Sequence, residues 1–161
     1  MGNQFHKPYV DSSFFFAVIK KEENLCPGGL MRWQVAERIV KEAERGEYYL
    51  YTSTITLAEV RRIRLKDEQL SQNEMAVVQD FFQHEYIRLI EVSRDVGEKA
   101  QTLRAEYGIY PMDALHLASA VEYECDVLLA WDKQFVSSFN GKPVEGVRVM
   151  EPYWEGQMDL Q

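Results

Sequence analysis

Apolar runs too short for helices alternate with segments of helical periodicity along nearly the whole chain, and this alternation is the strongest constraint on the fold. The stretch "KPYVDSS" reads as a short buried strand running into a helix through Phe14–Ile19, and "NLCPGG" at 24–29 is a loop. Leu30, Trp33, Ala36, Ile39, Val40 and Ala43 recur at helical spacing up to a stop at Gly46, and "YYLYTST" (48–54) is rich in strand formers. Thr56 opens the next predicted helix, with Thr56-x-x-Glu59 in the form of a capping box. An amphipathic helix over roughly 73–85 leads to the strand "IRLIEVS" (87–93). Val96, Ala100, Leu103 and Tyr107 predict a helix over 95–107, ended by Gly108, and "PMDALHLASAVEYE" (111–124) begins with Pro in a first helical turn. "DVLLAW" (126–131) is a continuous apolar strand; a short helix after Asp132 and a last strand near 146–152 complete the series. Parallel strands need helical crossovers, and helices on both faces leave the strands apolar throughout. The pattern therefore predicts an α/β sandwich with a mostly parallel central sheet of about five strands.

The 161 residues contain no internal repeat, low-complexity segment or long linker, so a single domain over 1–161 is expected, with its core at about 8–152. No apolar run reaches membrane-spanning length, and "MGNQFHKP" lacks the features of a signal peptide; the expected location is the cytoplasm, with no membrane partner. Cys26 and Cys125 have neither disulfide-framework nor metal-ligand spacing. A net charge of −8 argues against a broad basic surface of the kind that grips duplex DNA. It leaves room for a nucleic-acid substrate held by a few local cations, and it favours a basic protein partner.

Carboxylates supply the chemistry. In sheets of this type ligands bind beyond the carboxyl ends of the strands, near the point where strand order reverses. Asp11 ends the first strand, Glu59 follows the second, Asp113 lies in the first turn of the helix after "YGIYP", and Asp132 follows "DVLLAW". Each has a local explanation: Glu59 as the partner of the Thr56 cap, Asp113 as a first-turn anion, Asp11 and Asp132 as N-caps. Together at one sheet edge they would repel by about 2–4 kcal/mol per close pair at an effective dielectric near 20. Raised pKa values or a cation must offset this, and an oxygen-only donor set suits Mg²⁺ or Mn²⁺.

The set "YVDSS", "TLAEV", "YPMDALHLASA" and "LLAWDKQF", in this order, resembles the PIN-domain family of metal-dependent ribonucleases, most closely the bacterial VapC-type toxins. The resemblance implies a three-layer Rossmann-like sandwich and a Mg²⁺/Mn²⁺-dependent endoribonuclease that hydrolyses RNA phosphodiester bonds, the toxin of a toxin–antitoxin pair. A housekeeping RNA-processing nuclease and a non-catalytic protein-binding module of the same fold are the alternatives. It implies Asp11, Glu59, Asp113 and Asp132 as catalytic metal-site acids, Ser12 as a polar neighbour, an antitoxin protein as partner, and a homodimer. Many family members carry Thr or Ser where this chain has Ala130.

Arg62 and Lys66, four apart in "RRIRLK", are candidate substrate contacts beside Glu59, although such a run also suits a solvated helix face. His116, three residues past Asp113, reads from its spacing with Leu115, Ala118 and Ala120 as a packed helix position. Trp131, Phe135 and Phe14–Phe16 read as core.

Overall fold

The computed structural model describes residues 5–60, 62–63 and 68–154. Five parallel strands form the central sheet in the order β5-β2-β1-β6-β7, comprising β1 (Pro8–Val10), β2 (Leu50–Ser53), β5 (Ile87–Ile90), β6 (Val127–Leu129) and β7 (Arg148–Met150). Both halves of the sheet grow outward from β1, so strand order reverses between β1 and β6, the place where such folds build their sites. Register is fixed there by the pairs Tyr9↔Leu128 and Val10↔Leu129, and on the other side by Tyr9↔Tyr51.

The strands present successive side chains to opposite layers, as their two-residue period requires. Val10, Leu50, Ile87, Val127 and Leu129 face one core with α1 (Ser12–Ile19), α2 (Arg32–Glu44) and α4 (Gln72–Gln83), through Phe14, Phe15, Val35, Ile39 and Val78. Tyr9, Ile90, Leu128 and Val149 face the other core with α5 (Arg94–Tyr107), α6 (Pro111–Glu122) and α7 (Lys133–Ser137), through Val96, Leu103, Leu117 and Phe135. The strands are apolar on both sides because both sides are covered.

Local signals set the ends that matter. Gly108 takes the left-handed conformation (φ 66°) that closes α5, and its N–H donates to the Arg104 carbonyl. Pro111 then starts α6 without wasting a donor and puts Asp113 in its first turn. Ser71 and Glu74 form a capping box at the start of α4.

One local expectation fails. The helix α3 covers Thr54–Glu59 and is capped by Ser53, whose hydroxyl accepts from the Ile55 N–H. Thr56 is not its cap: it is buried inside the helix, and its hydroxyl bonds that of Thr52 at 2.7 Å. Glu59 therefore ends the helix instead of standing in its first turn. Beyond it, β3 (Arg62–Ile63) and β4 (Glu68–Gln69) pair antiparallel in a separate two-stranded ribbon.

Leu117, fully buried under the sheet, tests the second core. Leu117→Ala should lower unfolding free energy by about 2–5 kcal/mol, while Leu25→Ala at a mostly exposed position should change it by no more than about 0.5 kcal/mol. Denaturant titration of both variants checks the contrast.

Candidate active site

Three acids stand at helix N-termini around the β1–β6 junction. Asp11 directly follows β1 and caps α1: its Oδ1 accepts from the Ser13 N–H at 3.1 Å and from the Ser13 hydroxyl at 2.5 Å. Asp132 follows β6 and caps α7, its Oδ1 accepting from the Phe135 N–H at 3.1 Å. Asp113 occupies the first turn of α6. The strand ends are tied together: the Asp11 N–H donates to the Leu129 carbonyl at 3.5 Å, and the Trp131 N–H reaches the Ser13 hydroxyl oxygen at 3.5 Å. Ser13 is thus the hydroxyl that engages Asp11, while the predicted neighbour Ser12 is the first residue of α1.

Glu59 reaches the same region from the C-terminal end of α3. Its Oε1 lies 2.5 Å from His116 Nε2, and His116 Nδ1 lies 2.6 Å from the Tyr9 hydroxyl. Tyr9 and His116 are buried, whereas the Glu59 side chain keeps 18 % exposure. His116 is packed, as its spacing suggested, and it is also bonded at both ring nitrogens. Sequence did carry a signal for this group. Tyr9 and Asp11 share one face of a strand at i, i+2, and Asp113 and His116 share one face of a helix at i, i+3. Arg62 lies in β3, and Lys66 lies outside the described residues.

The acids feel one another. Burial, first, and then the charges of Asp11 and Asp132 push the Asp113 carboxyl up from 3.8 to about 6; the contribution of Glu59 is the smallest of the named charges. Burial also raises Asp11, against the opposing effects of His116 and the Ser13 hydroxyl. Among the described residues no three Asp, Glu, His or Cys side chains are gathered closely enough to form a ready-made metal cage. The donor chemistry still fits Mg²⁺, which typically retains several waters and takes only one or two carboxylates directly.

The sequence matches the PIN domain family profile over residues 28–137, more than half of the chain, and the chain belongs to that family. The match begins after β1 and α1, so it includes Glu59, Asp113 and Asp132 but not Asp11. Solved structures share the fold. A chain of a toxin–antitoxin complex from Klebsiella pneumoniae is 21 % identical, with 91 % of this chain and 98 % of that one covered and a TM-score of 0.55. VapC20 from Mycobacterium tuberculosis, described as a toxin cleaving the sarcin-ricin loop, is 20 % identical over 81 % of this chain and 94 % of its own, with a TM-score of 0.60. A chain of the DNA-bound VapBC complex from Salmonella typhimurium is 18 % identical over 92 % and 99 %, with a TM-score of 0.61. A search of curated protein sequences gives no significant match. Among the described residues no helix is long and apolar enough to cross a membrane.

Because the folded-state pKa of Asp113 lies above its unfolded value, ionising it costs the native state. Its contribution to stability is intact below about pH 4 and is lost as pH rises through about 6. In metal-free buffer Asp113→Asn should therefore melt progressively higher than the parent across that window, and added Mn²⁺ should narrow the gap by stabilising the parent more than the variant. Melting midpoints measured against pH, with and without Mn²⁺, check both parts.

Proposed function

We infer that this PIN-domain chain is a divalent-cation-dependent endoribonuclease acting as the toxin of a toxin–antitoxin pair. The observation that carries the reading is the placing of Asp11, Asp113 and Asp132 at helix N-termini around the reversal of strand order, with the charges of Asp11 and Asp132 acting on Asp113, in a chain of this family. Crowded carboxylates held in place by the fold are what a cation site requires and what a purely structural edge avoids. Asp11, Asp113 and Asp132 are the acids that would hold Mg²⁺ or Mn²⁺. A divalent ion there supplies Lewis-acid polarisation of a phosphodiester and neutralises charge developing on it.

The residues of the chain do the placing. Ser13 fixes one oxygen of Asp11 and the Phe135 N–H fixes one oxygen of Asp132, so both carboxylates keep a set orientation as RNA enters. Glu59 sits at the margin with its side chain partly open to solvent, where it can accept a proton from an attacking water. Arg62 and Lys66 follow it in sequence and are the proposed phosphate contacts, short-range cations in a chain of net charge −8.

The toxin assignment draws on neighbours described as toxin–antitoxin complexes and on the cost of an unrestrained nuclease to the cell. A basic antitoxin segment fits the site, because an Arg guanidinium would pair with the same carboxylates as the cation. The nuclease is expected to work as a homodimer. The alternative is a non-catalytic binding module of the same fold.

Incubating the purified protein with mixed single-stranded and structured RNA, with and without Mn²⁺, separates the two readings. Cleavage should require the cation and fall roughly a hundredfold or more in Asp11→Asn and Asp113→Asn. A well-folded parent that cleaves no RNA in Mg²⁺ or Mn²⁺ would leave the binding-module reading in its place.

A further inference from the structure

Three of the four acids share one way of being held, and the fourth is held differently. Asp11, Asp113 and Asp132 stand at helix N-termini, where backbone N–H groups and the helix dipole favour an anion. Glu59 is the last residue of the six-residue α3, where the dipole disfavours a carboxylate and no cap is available to hold it. What meets it is the imidazole of His116, from a different element. A carboxylate oxygen only accepts, so the Nε2 that meets Glu59 Oε1 carries a hydrogen, while Nδ1 bonds the Tyr9 hydroxyl. A histidine kept only to fill core volume could satisfy its nitrogens on nearby backbone; this one spends Nε2 on a carboxylate 57 residues away at the site margin.

We propose that His116 is a positioning residue: with Tyr9 behind it, it holds Glu59 by Oε1 at the rim of the acid cluster, so that Glu59 orients water and is not itself a direct ligand of the cation. The division of labour follows from oxygen use. With Oε1 committed to the imidazole N–H at 2.5 Å, Glu59 has one oxygen to offer, and a water or hydrated cation takes it without breaking the buried bond. Losing that bond would leave an imidazole nitrogen buried without a partner. A rotating Glu59 would lose the water's alignment, and misplacements of about an ångström cost on the order of a hundredfold in rate. This inference rests on the nuclease reading for its consequence, although the hydrogen-bonded arrangement itself can be read without any turnover.

The test uses the full chain and four variants. His116→Phe keeps ring volume and removes both nitrogens, His116→Gln keeps a donor near the Nε2 position, Tyr9→Phe removes the hydroxyl bonded to Nδ1, and Glu59→Gln neutralises the acceptor. Nitrogen-15 imidazole spectra should show a hydrogen on Nε2 of His116 in the parent, with the ring resonances displaced in Glu59→Gln and in Tyr9→Phe. Calorimetric titration with Mn²⁺ should give dissociation constants for His116→Phe and Glu59→Gln within about threefold of the parent, whereas Asp113→Asn should weaken binding about tenfold or more. Single-turnover RNA cleavage should fall about a hundredfold in His116→Phe, recover to within about tenfold in His116→Gln, and fall no further when His116→Phe is combined with Glu59→Gln. An Nε2 without a hydrogen in the parent spectrum, or Mn²⁺ affinity in Glu59→Gln weakened as much as in Asp113→Asn, overturns the proposal. Parental cleavage by a folded His116→Phe does so too. If His116→Phe fails to fold, the spectra and the Gln variants still decide. If the parent cleaves no RNA, the nuclease reading fails, while the spectra and Mn²⁺ titrations still decide how Glu59 is held.

Discussion

Strand β1 is three residues long, and all three are buried between parallel neighbours on both edges. The site depends on that pairing. Because β2 and β6 lie on opposite sides of β1, the crossovers that follow them leave in opposite directions and open a crevice above the sheet. Asp11 is carried to its edge by Val10↔Leu129 and by the bond from its own N–H to the Leu129 carbonyl. A register slip of one residue would exchange Tyr9 and Val10 between the two cores and pull Asp11 out of place.

The fold tolerates the resulting crowd of charge through its helices. Three helix N-termini converge on the acids, each worth about 0.3–1 kcal/mol to an adjacent anion at an exposed site. Burial still raises Asp11 and Asp113, so the helices offset only part of the desolvation. Glu59 lacks this help because α3 runs toward it with its C-terminal end, and the imidazole N–H supplies the compensation from α6. Glu59 thus depends on tertiary contact in a way the three aspartates do not.

The surroundings stiffen the same corner. Trp131, next to Asp132, stacks on Phe14 at 6.3 Å between ring centroids and carries the Arg32 guanidinium 5.3 Å from its own ring centre. Arg32 in turn lies 4.0 Å from Glu22, so the cation is shared between a ring and a carboxylate. These contacts link the start of α2 to the end of β6.

The sequence by itself determined the layers and the location of the acids. Strand and helix periodicities are local, and apolar strands with capped or proline-started helices leave few ways to arrange themselves; Asp11, Asp113 and Asp132 are all found at the ends such signals mark. Local reading failed where a local bond competed with a distant one. Thr56 and Glu59 have the spacing of a capping box, but Ser53 caps α3 one turn earlier, Thr56 bonds Thr52, and Glu59 is free to be taken by His116. Only the tertiary structure decided that partnership, along with the bonds from Ser13 to Asp11. The partners of His116 lie 57 and 107 residues away in sequence, and no periodicity within one element can report a contact made when β1, α3 and α6 close on each other.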